Sequence, residues 1–284
     1  MITNQTSYDT LTENEKADFD QIYVCDNDGS SNGNFNYDKL KDIVEKIIKS
    51  DDKVEIFTDD EYCMTQSIQL RQDFSHSLTN ADPIEIINIF RNKALMKQRL
   101  IDNGLKYLLP KYQLFNSKQM VSDCIDQYIP NLICDLGLSI FCKPTTECGS
   151  KGTCLLKTED EIRLWLMNNR NGGDYEFDEY ITGDLYHCDS IIHNNKIHHV
   201  EICRYMYPCF EFLNGKLCAS IVLPSDDARH DELITEIKEV NYKILNALCE
   251  RSKKIPSGIT HLELFRTNNE QRLIFVEVAA RPPG

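Results

Sequence analysis

No two of the twelve cysteines stand in a Cys-x-x-Cys pair, and no Cys/His cluster has zinc-finger spacing. A disulfide framework and a structural zinc site are therefore not indicated. Cys134, Cys142, Cys203, Cys218 and Cys249 sit inside apolar runs and are expected to behave as small buried hydrophobes. No apolar run approaches the length that spans a bilayer. The first twenty residues are polar and acidic, without the apolar core of a signal peptide, so a reducing, cytoplasmic location is expected. Basic residues are scarce: 31 Lys and Arg against 45 Asp and Glu, a net charge of −14. Nucleic acid needs clustered Lys and Arg to neutralise its phosphates, and anionic membrane surfaces attract the same residues. Both are excluded as partners. A Walker loop is missing, and Gly29 and Gly33 lack the Gly-x-Gly-x-x-Gly pattern of a dinucleotide loop. There is no internal repeat and no low-complexity block.

What is present is an ordinary globular composition, 41% hydrophobic and 27% charged over 284 residues, enough for two or three compact subdomains. Residues 1–18 are rich in Asn, Thr, Asp and Glu and read as a flexible tail. Residues 21–25 read as a strand, 37–49 as an amphipathic helix and 53–57 as a second strand. That βαβ order implies a small parallel sheet in an N-terminal domain over 19–90. Asp82-Pro83 opens a helix running through Phe90. The remainder, 91–284, divides near 176/177 into a glycine-loop part and a part built on the C-terminal strands. Its expected elements are helices over 94–103, 117–128, 158–168 and 231–250, a strand over 138–143, a strand over 175–181, and a hairpin turning at Asn194-Asn195.

The densest chemistry lies at the C-terminal end. His261-Leu262-Glu263-Leu264-Phe265 and residues 273–281 are apolar strands joined by a short polar turn. Each strand is interrupted by one carboxylate, Glu263 and Glu277. A buried carboxylate is costly unless a cation or hydrogen bonds compensate it. Two facing the same way suit Mg²⁺, with Mn²⁺ as the alternative ion, because hard cations take carboxylate and phosphate oxygens. The competing reading is a plain hairpin with solvent-facing glutamates. Arg281, just beyond, offers a guanidinium fork for a phosphate or an oxyanion.

Upstream, Phe141-Cys142-Lys143-Pro144 is followed by Cys148-Gly149-Ser150-Lys151-Gly152. The strand ends in a lysine, and glycines beside it let backbone N–H groups approach phosphates. A plain turn is the alternative. An acidic chain can still hold a polyphosphate if a few lysines are local, and Lys93, Lys97, Lys143 and Lys151 would be that set.

The order of these parts resembles the ATP-grasp superfamily of ATP-dependent carboxylate–amine ligases. The likeness runs from about Phe90 to Gly284, and more faintly back to about Gln21. Arg91-Asn92-Lys93-Ala94-Leu95-Met96-Lys97 is similar to the family's opening segment, and residues 105–115 to the approach that follows it. Residues 141–152 are similar to its lysine strand and glycine-rich flap. Asp178-Glu179-Tyr180-Ile181-Thr182-Gly183 resembles the hinge that clamps adenine, and 261–284 the metal strands and closing arginine. The resemblance implies an α/β chain of α+β subdomains, an ATP-grasp fold behind a small parallel βαβ pre-ATP-grasp domain. It implies ATP and Mg²⁺ as cofactors. Lys143 and one of Lys93 or Lys97 would hold the α/β phosphates, and the loop Gly149, Ser150, Lys151, Gly152 would close over the β/γ phosphates. Asp178, Glu179, Tyr180 and Ile181 would meet adenine, Glu263 and Glu277 the metal. Arg281 would stabilise an acyl phosphate or tetrahedral oxyanion, with Lys143 as the other catalytic residue. The implied partners are a small-molecule carboxylate and an amine, and a homodimer is admitted.

This sequence also departs from the family pattern. Asp178 replaces a glutamate, Leu185 stands where a ribose-binding glutamate is frequent, and Ala279 stands where many members carry asparagine. Relatives usually continue beyond Pro282-Pro283-Gly284, so a fragment or a shortened member is expected. Three functions stay open: an active ligase, a catalytically weakened nucleotide-binding relative with a regulatory or interaction role, and a kinase or carboxylating enzyme using the same ATP site. His187 and Asp189 alternate on one strand and share a face; they either orient substrate or form a hydrogen-bonded pair. His261 either supports Glu263 from behind or serves packing alone. His198-His199 reads as surface, and Glu201 and Arg204 are undecided.

Overall fold

The computed structural model describes residues 1–29, 34–50, 54–58, 60, 62–75, 88–116, 125–169, 173–224, 231–252 and 254–283. They form two compact units, Met1–Ile87 and Asn88–Gly284. In the first, strand β1 (Ile2–Thr3) pairs in parallel with β2 (Tyr23–Val24). The helix Tyr37–Ser50 buries Leu40 and Val44 against Cys25 and against Leu70 of the helix Met64–Asp73. A small parallel sheet is thus present; its β2 falls inside the strand expected over 21–25, while its partner is β1 and not the strand expected over 53–57.

Two expectations are corrected here. Residues 1–18 are not an unstructured tail; they hold β1 and the short helices Gln5–Thr10 and Glu13–Ala17. The reason is local capping. Asn4 Oδ1 accepts from the Ser7 amide at 2.8 Å, and Thr12 with Glu15 makes a reciprocal capping box. Residues 54–58 form no strand. The Arg71 guanidinium donates to the Ile56 carbonyl at 3.0 and 2.6 Å, so a side chain satisfies a group that a strand neighbour would otherwise take. Gly33, Lys53, the helix start at Asp82-Pro83 and residues 117–124 lie outside the described residues.

The second unit contains two antiparallel sheets. Strands β3 (Tyr112–Asn116), β4 (Ile140–Pro144), β5 (Cys154–Leu156) and β6 (Asp174–Glu179) form the first, in the order β3-β6-β4-β5. Ile140, Cys142 and Phe177 are buried with Ile129 and Leu132 of the helix Ile125–Leu136, and with Ile162 and Leu166 of the helix Glu159–Asn168. Side chains alternate along a strand, so Phe141, Lys143, Glu176 and Asp178 are turned to the opposite face. The boundary expected near 176/177 falls inside β6, whose ladder with β3 and β4 keeps Phe177, Asp178 and Glu179 in this sheet.

Strands β7 (Gly183–His193), β8 (Lys196–Tyr205), β9 (Ser220–Val222), β10 (Gly258–Thr267) and β11 (Leu273–Ala279) form the second sheet, in the order β11-β10-β7-β8-β9. The β7–β8 turn sits at Asn194 and Asn195, with φ of 50° and 63°, the left-handed pair that a two-residue hairpin of this twist requires. The helix Asp231–Cys249 packs on this sheet, where Asn241 Nδ2 donates to Ser190 Oγ at 2.8 Å in a fully buried contact. Cys142, Cys203 and Cys249 are buried, but Cys134 and Cys218 are exposed. Cys134 faces away from the core of its helix, and Cys218 precedes the exposed strand β9. No helix among the described residues is long and apolar enough to cross a membrane.

Candidate functional site

The inner faces of the two sheets enclose a cleft of about 850 Å³, its open mouth included. Its charged wall begins with the helix Lys93–Asp102, which Asn92 caps by accepting from the Leu95 amide at 3.1 Å. Lys93 opens that helix and reaches the cleft; Lys97 follows one turn later on the same side. Lys93 Nζ donates to the Glu147 carbonyl at 2.7 Å and lies 2.8 Å from Glu277 Oε2.

At the cleft wall and just behind it, four charges are buried together. Lys143 Nζ lies 3.0 Å from Glu176 Oε1 and 3.1 Å from Asp178 Oδ2, and Lys97 Nζ lies 3.3 Å from Glu176 Oε1 and donates to Asp178 Oδ1. The register explains the grouping: β4 and β6 pair Lys143 with Glu176 and Phe141 with Asp178. Burial opposes the Lys143 charge, but Asp178, Glu176 and Glu277 override it and push its pKa upward. Burial likewise opposes the Asp178 carboxylate, while Lys143 and Lys97 hold it below its ordinary range.

The glycine loop lies at the cleft edge. Gly149, Ser150 and Gly152 have φ of 60°, 58° and 72°. A Cβ on Gly152 would meet Pro144 Cγ at 2.9 Å, so this position requires glycine by both conformation and space. Lys151 is largely exposed, with its Nζ 3.6 Å from Glu147 Oε2. In the hinge segment, the Lys111 amide donates to Glu179 Oε1 at 2.9 Å and the Tyr180 amide donates to the Ser139 carbonyl at 3.2 Å.

Across the cleft, Glu263 and Glu277 are direct partners in the β10–β11 ladder, so their side chains share a face. An irregularity follows between Glu263 and Leu264. The Tyr205 hydroxyl donates to Glu263 Oε1 at 3.0 Å, and the Cys209 thiol donates to the same oxygen at 3.5 Å. His261 Nε2 lies 3.5 Å from it, and His261 Nδ1 lies 2.6 Å from Asp189 Oδ1. Burial opposes a charge on His261, but Asp189 and Glu263 raise its pKa to about 9. Burial opposes the Glu263 carboxylate too, and His261 foremost holds it below its usual range.

Of the residues expected at a site, Lys93, Lys143, Gly149, Ser150, Lys151, Asp178, Glu179, Tyr180, Ile181, Glu263 and Glu277 line this one cleft. Lys97 does not line it: it is fully buried behind Asp178. Gly152 shapes the loop without lining the cleft, and Arg281 lies off it, donating to the Pro282 carbonyl at 2.8 Å. Sequence reading missed Glu176, although acids alternating with aromatics in Asp174-Tyr175-Glu176-Phe177-Asp178 signal a charged face on a strand. It also missed Tyr205, Cys209 and the aromatic wall of Phe141, Phe210, Phe265 and Phe275; no local pattern marks these. His198 and His199 lie away from the cleft.

A chain backbone of this arrangement is found in solved structures. The L-amino acid ligase from Bacillus licheniformis superposes with a TM-score of 0.64 at 16% identity, covering 93% of this chain and 57% of that one. The biotin carboxylase domain of the Hydrogenobacter thermophilus 2-oxoglutarate carboxylase, solved with MgADP and bicarbonate, gives 0.67 at 14% identity, covering 99% and 58%. The D-alanine–D-alanine ligase from Bacillus anthracis, complexed with ATP, gives 0.59 at 15% identity, covering 99% and 85%. The fold is ATP-grasp. The chain spans less than two thirds of the length of the first two of these structures. No protein-family model matches the sequence, and no curated protein does. In ATP-grasp terms the cleft lies between the lysine and glycine-loop sheet and the sheet that bears the two glutamates.

Proposed function

We propose that this chain binds ATP with Mg²⁺ in the cleft and joins a carboxylate to an amine. The observation that carries the reading is Glu263 directly opposite Glu277, both facing a cleft whose other wall holds Lys93 and Lys143. Carboxylate oxygens on one side and ammonium groups on the other suit a metal-bound polyphosphate. Glu263 and Glu277 would hold Mg²⁺, or Mn²⁺ in its place, which would supply neutralisation of phosphate charge. Lys143 and Lys93 would hold phosphate oxygens, and the Gly149–Gly152 loop would keep water from the transferring group. Phe141, Leu185, Phe265 and Phe275 provide an apolar seat for the base.

The chemistry favours this pairing of parts. A carboxylate is a poor electrophile. Transfer of the γ-phosphoryl group to a carboxylate oxygen releases ADP and makes the acyl carbon attackable. An amine then forms the amide bond, and inorganic phosphate leaves. Such catalysis consists mainly of positioning and charge stabilisation. The solved ligases of the same fold support this reaction class, while an amino-acid-like substrate is our reading.

A second reading rests on two residues. Leu185 and Ala279 are buried and apolar where related sequences often carry ribose- and metal-binding groups, which favours a catalytically weakened, nucleotide-binding relative. One experiment separates the two. ATP turnover is measured against paired panels of carboxylates and amines, reading ADP release and product mass. ADP formed only when both substrates are present supports the ligase. A phosphorylated product made without an amine points to a kinase, and binding without turnover to the weakened relative.

A further inference from the structure

Behind Glu263, the second sheet carries a polar array that the nucleotide reading leaves unused. The β7–β10 register sets His261 opposite Asp189 and Glu263 opposite His187, so all four side chains share one face. Asp189 bridges two imidazoles: Oδ2 lies 2.9 Å from His187 Nδ1, and Oδ1 lies 2.6 Å from His261 Nδ1. The far nitrogen of His261 stands 3.5 Å from Glu263 Oε1 and 3.3 Å from the Tyr205 hydroxyl. Tyr205, Cys209 and His261 all converge on Oε1. Among the described residues no side chain makes a hydrogen bond or ion pair with the other oxygen, Oε2.

One carboxylate oxygen is therefore anchored from three directions while its twin is left to the cleft. We propose that Asp189, acting through His261, is a positioning residue that holds Glu263 in the rotamer that presents Oε2 to a divalent cation. The inference rests on reading Glu263 as a metal ligand. Carboxylate–histidine partners behind a metal ligand orient it, and their loss typically weakens metal binding about 10–100-fold. Two imidazoles and a carboxylate within 4.8 Å of one another are also a donor set for zinc-class ions. The separations argue otherwise. Donor atoms on one tetrahedral ion with bonds of about 2.0 Å stand roughly 3.3 Å apart. Separations of 2.6 and 2.9 Å are hydrogen-bond lengths.

The test is the Mg²⁺ concentration that half-saturates ATP binding, measured by calorimetry in wild type, Asp189→Asn, Tyr205→Phe and Glu263→Gln, with ATP affinity in EDTA measured alongside. Asp189→Asn is expected to raise the Mg²⁺ requirement about tenfold while ATP affinity in EDTA stays as in wild type. A merely structural role would lower thermal stability without splitting these two quantities. Tyr205→Phe removes another anchor on Oε1 and should shift the requirement in the same direction, which keeps the test open should Asp189→Asn not fold. A folded Asp189→Asn with the wild-type Mg²⁺ requirement, while Glu263→Gln shifts it, overturns the positioning role alone. Wild type without Mg²⁺-dependent ATP binding overturns the nucleotide reading and the inference with it. One equivalent of Zn²⁺ or Co²⁺ bound by wild type and lost in Asp189→Asn would reassign the array as a ligand set, overturning the positioning role.

Discussion

Lys93 Nζ lies 2.8 Å from Glu277 Oε2 across the cleft. A lysine suited to phosphate and a carboxylate suited to a metal thus neutralise each other directly. Both are largely withdrawn from solvent, with side-chain exposures of 7% and 25%, so neither can be left unpaired at low cost.

Binding of a magnesium nucleotide should then be an exchange of partners, with phosphate replacing Glu277 at Lys93 and the cation replacing Lys93 at Glu277. Lys93→Met should weaken MgATP binding by about 1.5–3 kcal/mol, the scale of a charge-assisted hydrogen bond. Isothermal calorimetry checks it. Unchanged affinity in the mutant would remove Lys93 from the nucleotide site.

Lys143 should matter to the fold as well as to the ligand. Its removal leaves Glu176 and Asp178 buried with Lys97 as the one paired cation among the described residues. Lys143→Met should lower the unfolding free energy by about 3–5 kcal/mol, the cost of breaking a buried ion pair from one side. Adding Glu176→Gln should recover part of that loss, because it restores the balance of charge. Urea unfolding of the single and double mutants reads both effects, and additive losses would contradict this account.

Asp189 sets a pH dependence. Burial would raise its pKa, but hydrogen bonds from His187 and His261 override it and bring the value from 3.8 to about 2. A carboxylate with a depressed folded pKa contributes stability that is present above the unfolded value and lost as pH falls through the folded one. Wild type should therefore exceed Asp189→Asn by about 2 kcal/mol above pH 4, with the gap closing between pH 4 and pH 2. Urea midpoints across that range test it; a gap that widens toward low pH would reverse the sign argued here.

Gly152 should not tolerate a side chain. Gly152→Ala places a methyl group at φ 72° and 2.9 Å from Pro144 Cγ, for a cost of roughly 1–2 kcal/mol from the left-handed backbone alone. The loop should shift, and thermal stability should fall. Gly149 also has a positive φ of 60° but open space at its Cβ position, so Gly149→Ala should cost less. Equal melting temperatures for the two variants would rule out the contact with Pro144 as the distinguishing factor.

Much of this molecule was readable locally. The Thr158/Glu161 capping box, the Asn194-Asn195 turn and the alternation of Ile140, Phe141, Cys142 and Lys143 depend on residues a few positions apart. Backbone dihedrals and side-chain periodicity act at that range. The two apolar strands bearing Glu263 and Glu277 were legible for the same reason. Composition misleads where local bonds prevail: the polar stretch 1–18 contains its own caps, at Asn4 and at Thr12 with Glu15.

The partners of each charged group were decided only by tertiary structure. Lys97 meets Asp178 across 81 positions of sequence, and Asp189 meets His261 across 72. Those meetings follow from strand order and register, where a slip of one residue turns every side chain to the other face. Strand pairing likewise set Glu263 directly opposite Glu277, while Lys97 on its helix is withdrawn from the cleft and Arg281 lies off it. A sequence can show that a strand carries a carboxylate; what that carboxylate faces is determined by which strands pair, because hydrogen-bond ladders and the burial of their apolar faces are properties of the assembled sheet.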